Sequence, residues 1–179
     1  MDKLISKNIL LRKAELKDLE PMLNNIWSDE EIFKFMAWKP IYTMAEAQMR
    51  LENIIEFQKA NYFYFVAEKE TDEAIGFAGI KEIEPGVYGD AGICIAQKCQ
   101  GLGFGKEILS LLLDLAFNKL GANEFIYGCM SHNERSKNLC LKFGFEYKDS
   151  TIRTRSWDDY SFQDDHYSLK REKYLSQNS

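Results

Sequence analysis

The spacing of apolar positions changes period several times along the chain, and each change marks an element boundary. Ile5 to Lys13 reads as a first strand, and a helix follows from about Lys17 to Ile26, tolerating Pro21 near its first turn. Trp27 to Tyr42 carries Trp27, Phe33, Phe35, Trp38 and Tyr42 together with Pro40. That pattern suits an irregular packed segment or a short helix, its aromatic cluster serving as core or as an acceptor pocket. Thr43-Met44-Ala45-Glu46 matches a capping box, so a helix opens there with Ala47, Leu51, Ile54 and Ile55 along one face.

Strand periodicity then takes over. Asn61 to Lys69 alternates aromatic and small residues, turns at Glu70-Thr71-Asp72-Glu73 and returns as Ala74 to Glu84; Pro85-Gly86 turns again into Val87 to Ala96. Phe104, Ile108, Leu111, Leu112, Leu115 and Leu120 form the apolar face of the clearest helix, which Gly121 stops at a left-handed cap position. Glu124 to Met130 reads as a strand and Asn133 to Phe143 as a helix stopped by Gly144. Two strands follow, about Phe145 to Arg155 and Phe162 to Tyr174, meeting at Trp157-Asp158-Asp159-Tyr160. Asp158, Asp159, Asp164 and Asp165 read as a solvated hairpin that would also suit a cationic substrate. This order predicts an α/β (α+β) fold: a mixed, largely antiparallel twisted sheet of about seven strands with helices on both faces. A wholly parallel sheet would need a helix between every pair of strands, and residues 61 to 96 offer none.

Composition narrows the function classes. A chain of 179 residues, 45% apolar and 13% aromatic, buries a core without disulfide or metal staples, as one domain spanning 1–179. Its net charge of -5 and lack of a Lys/Arg run argue against a nucleic-acid partner. Cys94, Cys99, Cys129 and Cys140 show no C-x-x-C spacing and only two histidines accompany them, so no metal site is expected. The segment Met1-Asp2-Lys3-Leu4-Ile5-Ser6-Lys7 has no apolar signal core, and no apolar run reaches membrane-spanning length. The expectation is a cytoplasmic protein with reduced thiols and no membrane partner.

The sharpest chemical feature is Gln100-Gly101-Leu102-Gly103-Phe104-Gly105, between a strand and the best helix. Glycines there let successive backbone N–H groups converge, and the helix adds its positive end, an arrangement suited to a pyrophosphate. A Walker A loop fails twice, at Gln100 and at Glu107, and a G-x-G-x-x-G fingerprint fails at Lys106.

What remains, Q-x-x-G-x-G, resembles the acetyl-CoA signature of the GNAT acetyltransferases. The block Asn133-Glu134-Arg135-Ser136-Lys137-Asn138-Leu139-Cys140-Leu141-Lys142-Phe143-Gly144-Phe145 is similar to the same family's N-x-x-S-x-x-L-x-x-K-x-G-F helix. The tail Asp165-His166-Tyr167-Ser168-Leu169 to Tyr174 is similar to the last strand of the branch that acetylates ribosomal-protein N-termini, a tail shared with spermidine acetyltransferases. The resemblance implies an N-acetyltransferase that uses acetyl-CoA as cosubstrate and no metal, with an amine acceptor that is a protein N-terminus or a small molecule. It also allows a homodimer.

Residue by residue, the resemblance implies that the backbone of Ile93, Cys94 and Ile95 pairs with the pantetheine arm. Gln100, Gly101, Leu102, Gly103, Phe104, Gly105 and Lys106 would hold the diphosphate, and Asn133, Ser136, Asn138 and Lys142 would face the coenzyme. Cys140 stands where many members carry a tyrosine that protonates the departing thiolate, so it is either that acid or a small packed residue. Asp90 is the candidate base, three residues before Ile93 and on one face with Gly92 and Cys94 if the strand is regular; Glu82 and Glu84 are the alternatives. His132 and His166 read as a residue preceding a helix and an exposed strand residue. A different class stays open: a GNAT-fold module that binds acetyl-CoA as a sensor without catalysis.

Overall fold

The computed structural model describes residues 3–177. Met1 and Asp2, which open the amino-terminal segment considered above, lie outside them, as do Asn178 and Ser179. The described residues form eight strands: β1 (Lys3–Ile5), β2 (Ile9–Arg12), β3 (Tyr62–Glu68), β4 (Ala74–Glu84), β5 (Val87–Ile95), β6 (Glu124–Met130), β7 (Glu146–Thr154) and β8 (Ser161–Lys170). Their order is β1-β2-β3-β4-β5-β6-β8-β7. Only the β5–β6 pairing is parallel among the registered pairs; β1–β2, β2–β3, β3–β4, β6–β8 and β7–β8 are antiparallel. The helices are α1 (Leu19–Met22), α2 (Glu30–Phe33), α3 (Met44–Phe57), α4 (Phe104–Asp114), α5 (Glu134–Lys142) and α6 (Arg171–Gln177). A mixed, largely antiparallel α/β fold is therefore what the sequence forms. No helix among the described residues is long and apolar enough to cross a membrane.

Two strand boundaries differ from expectation. The first strand is two: the polar run Ser6-Lys7-Asn8 turns the chain, and the Ser6 amide donates to the Ile9 carbonyl at 2.9 Å, closing a hairpin. This raises the strand count from about seven to eight. The last strand stops at Lys170 instead of reaching Tyr174. Arg171 donates to the carbonyls of Phe117 and Ala122, and Tyr174 stacks on Phe117 at 4.7 Å, so the tail turns into α6, whose Arg, Glu, Lys, Leu and Gln all favour helix.

The chain divides into two compact units, residues 1–80 with 91–111 and residues 81–90 with 112–179. In the first unit, Ile9, Leu11, Met22, Ile26, Leu51, Phe65 and Ile75 are buried. Thr43 caps α3 as its motif requires: its hydroxyl oxygen accepts the Glu46 amide at 3.3 Å and donates to the Glu46 carboxylate at 2.7 Å. Arg12, 6% exposed, makes a bidentate pair with the Asp18 carboxylate, both contacts 2.7 Å. At Gly76 on β4, a Cβ would fall 2.0 Å from the Cys94 carbonyl oxygen of β5, and the Ala96 amide donates to the Ile75 carbonyl at 2.7 Å. Only glycine admits so close an approach, and it fixes the height of Cys94.

In the second unit, Phe117, Phe125, Tyr127, Phe145 and Tyr167 form the aromatic core, with Phe125 and Tyr127 edge-on to Phe145. Asp164 and Asp165 are not solvated, as the hairpin reading would have it; each is 7% exposed. Arg153 donates to Asp164 at 2.9 Å, while Ser150 and Gln163 donate to Asp165 at 2.8 Å, so burial is offset by hydrogen bonds. The turn itself is made at Asp158-Asp159, where Asp159 takes φ +55°.

Candidate active site

One set of candidate residues lies in the first unit. β5 ends at Ile95, a short turn Gln97–Cys99 follows, and the glycine loop then leads into α4. The Gln100 side-chain amide donates to the Ile95 carbonyl at 3.0 Å, which ties the loop's first residue to the end of β5 and gives Gln100 a structural role. Gly101 and Gly103 take φ +82° and +88°, and a Cβ at either would meet nothing within 4 Å. No amide from Gly101 to Gly105 donates a hydrogen bond to another described residue; donation resumes with Lys106 to the Gly103 carbonyl at 3.0 Å. Bare backbone, open space and unpaired donors at the head of an 11-residue helix fit a phosphate group. Leu102 and Lys106 are exposed, and Phe104 and Gly105 half-buried.

Cys94 is buried, and burial pushes its thiol above the ordinary range. Ile93 and Ile95 on either side of it are half-buried. β5 is not a regular strand: Gly92 takes φ +104°, so period-two alternation does not carry from Asp90 to Cys94 as a regular strand would require.

A second set lies in the second unit. The β5–β6 pairing covers Val87–Gly89 against Glu124–Ile126 and ends just before Asp90. There the half-buried Asp90 carboxylate accepts the Gly128 amide at 2.7 Å, a side chain standing in for a ladder bond. The space above Gly128 is ringed by titratable groups: its Cβ would sit 3.7 Å from the His166 ring, 3.8 Å from Asp90 and 3.9 Å from Asp164. His166 Nδ1 lies 2.6 Å from Asp149, and Nε2 lies 3.7 Å from Asp164. In the sequence His166 reads as an exposed strand residue and Asp164 as part of a solvated hairpin, so neither is placed beside Asp90. The signal is the antiparallel register Gly128↔His166 and Met130↔Asp164, which puts both side chains on the Gly128 face of β6 and is not visible without the pairing. Glu82 and Glu84 are exposed, and Glu82 accepts the Gly86 amide at 3.0 Å.

Asn133 is the N-cap of α5, its side chain accepting the Ser136 amide at 3.1 Å. The Ser136 hydroxyl pairs with the buried Tyr127 hydroxyl at 2.8 Å. Asn138 and Lys142 lie on α5, Asn138 exposed and Lys142 close to the helix end. Cys140 is fully buried and donates to the Lys137 carbonyl at 3.2 Å; burial pushes its thiol up to about 12. A thiol at that value is a weaker acid than a free thiol near 8.5, so proton transfer from it to a departing thiolate runs uphill.

Comparison with known proteins places this geometry in a family. Residues 8–146 match the model of the acetyltransferase (GNAT) domain. The uncharacterized N-acetyltransferase p20 of Bacillus licheniformis is 29% identical over 157 residues, covering 86% of each chain. The [ribosomal protein uS5]-alanine N-acetyltransferase of Escherichia coli K12 is 29% identical over 136 residues, 69% of this chain and 70% of that one. Among solved structures, a GCN5-related N-acetyltransferase from Brucella melitensis superposes with a TM-score of 0.84 at 17% identity, over 97% of this chain and 80% of that one. The spermidine N-acetyltransferase of Vibrio cholerae, solved in complex with CoA and spermine, superposes with a TM-score of 0.75 at 20% identity, over 93% and 98%. With the family's model matching from Asn8 to Glu146, across both compact units, this chain belongs to the GNAT acetyltransferases and is an N-acetyltransferase enzyme.

Proposed function

We propose that the chain, working as one functional domain, moves the acetyl group of acetyl-CoA to a primary amine by direct attack, without a covalent enzyme intermediate. The observation that carries this reading is the loop Gly101–Gly105, whose amides have no protein acceptor among the described residues and stand at the head of α4. In this assignment Gly101 to Lys106 hold the diphosphate, Gln100 holds the loop, and the backbone of Ile93, Cys94 and Ile95 lies along the pantetheine arm and polarises the thioester carbonyl. Asn133 and Ser136, at the start of α5, would face the coenzyme in the same assignment, with Asn138 and Lys142 further along the helix. Bound acetyl-CoA supplies an activated acyl group with a thiolate leaving group.

The acceptor must attack as a neutral amine. An α-amine near 8 costs about 1.4 kcal/mol to deprotonate at pH 7, and an alkyl amine near 10.4 costs roughly 4.6 kcal/mol. Asp90 is the proposed base, acting through water: its carboxylate is held by Gly128, and Asp164 and His166 stand around the same glycine. Cys140, without solvent access, is assigned to packing. The acceptor is a protein N-terminus or a small amine, the two kinds named for the Escherichia coli and Vibrio cholerae relatives. A thiol-release assay with acetyl-CoA over a panel of N-terminal peptides and small amines tests this. Acceptor-dependent release from one class is expected; no release with any amine, despite coenzyme binding, would make the protein a sensor instead.

A further inference from the structure

Helix α3 carries a cation, Arg50, that forms no ion pair with a described residue, although Glu46 lies close enough to act on it electrostatically. The half-buried Arg50 guanidinium lies 5.1 Å from the Trp38 ring centre and 5.8 Å from that of Trp27, so two indoles hold its plane. Of its five N–H donors, one is used among the described residues: Nη2 donates to the Lys39 carbonyl at 2.8 Å. No Asp or Glu forms an ion pair with it among the described residues, and burial holds its pKa below the ordinary value. Glu46, one turn earlier on α3, would be the natural partner by spacing. Its carboxylate instead accepts the Thr43 hydroxyl, as the helix cap requires. Beside Arg50 the Trp38 Nε1 is buried and has no hydrogen-bond partner among the described residues.

Arg50, though not Trp38, borders a cavity. This cavity of about 540 Å³, open to solvent at the exposed Met49 and Phe57, is lined by Arg50, Glu46 and Asn53 together with the apolar Ile41, Met49, Ile54 and Phe57. A desolvated guanidinium costs stability unless an anion answers it, and its planar fork matches a carboxylate with two parallel bonds. Apolar walls beside a guanidinium with unused donors describe a small-ligand site, the exposed Glu46 carboxylate of the same lining being engaged by the Thr43 hydroxyl.

We propose that this cavity binds a small molecule bearing a carboxylate on an apolar body, the carboxylate paired with Arg50. A structural clamp alone would need Arg50 only as a stacked cation, and would be indifferent to what occupies the cavity. The ligand is either an acceptor, its amine acetylated elsewhere on the same molecule, or an effector that is not consumed. The acceptor case alone rests on the acetyl-transfer reading; binding is measured without acetyl-CoA, so the two can fail separately.

The test is calorimetry and tryptophan fluorescence with 4-methylvalerate and, as its neutral counterpart, 4-methylvaleramide. The wild-type protein is expected to bind the carboxylate saturably at millimolar concentration or below, and the amide at least about tenfold more weakly. Arg50→Met should lose the same factor for the carboxylate alone, with Arg50→Lys recovering only part of it. Equal binding of acid and amide to the wild-type protein, or no saturable binding of either, would overturn the site, and this comparison does not depend on any variant folding. Leucine then separates the sources: N-acetyl-leucine formed with acetyl-CoA, with Arg50→Met raising KM more than it lowers kcat, marks an acceptor site. A change in thiol release from an N-terminal peptide, with the carboxylate recovered unmodified, marks an effector site.

Discussion

Gly103→Val is expected to weaken coenzyme A binding by about 100-fold or more while the protein stays folded. The two halves of that expectation have separate causes. A Cβ at Gly103 meets nothing within 4 Å, so valine collides with no part of the protein. Yet φ is +88°, where a β-branched residue is strongly disfavoured, so the loop relieves the strain by rotating its peptides away from the arrangement that presents Leu102 to Gly105 as donors. Whatever orientation survives carries an isopropyl group in the space a phosphate would take. No charge is removed, so the loss would be assigned to backbone geometry. Calorimetric titration of coenzyme A into wild-type and variant protein checks it, with thermal melting as the control for folding. Unchanged affinity in a folded variant would move the diphosphate site off this loop.

Asp90→Asn is expected to lower kcat/KM by about 100-fold at neutral pH, in the range typical of a lost general base. The substitution is informative because asparagine's carbonyl oxygen can still accept the Gly128 amide, so the β5–β6 junction is kept while basicity is lost. Activity should recover partly as pH rises and supplies neutral amine, with coenzyme affinity unchanged. Cys140→Ala, in the same assay, should change kcat only a few-fold, since it removes a buried thiol that donates to the Lys137 carbonyl. Wild-type rate and pH profile for Asp90→Asn would leave deprotonation to His166, to Asp164 or to bulk water. A fall in kcat of about 100-fold for Cys140→Ala would instead make the thiol the acid.

Much of the fold is legible in the sequence because local signals agree with tertiary demands. β6 and α5 emerge within a residue of their expected bounds, since alternation, the Asn133 cap and the Gly144 stop all act over a few residues. The split between β1 and β2 is not legible, because Lys7 and Asn8 interrupt the run for too few positions to register against its periodicity. The tail reads as strand because α6 begins only where Arg171 finds carbonyls 49 and 54 residues earlier in the chain. The glycine loop is visible as a motif, but the structural role of Gln100 is not, because its partner is the backbone of Ile95 and any residue could have occupied that position. The ring of Asp90, Asp164 and His166 around Gly128 depends on strand register, as the seat of Arg50 depends on two tryptophans closing over one helix turn. Neither leaves a trace at short range.

The central claim is that this acetyltransferase holds its coenzyme by the free amides of one loop, and the most direct measurement is a coenzyme A titration followed on the backbone amide resonances. The largest shifts are expected at Gly101 to Gly105, with smaller ones at Ile93 to Ile95 and at Asn133 to Ser136, all saturating with one dissociation constant. Saturable binding that leaves Gly101 to Gly105 unmoved would contradict the account.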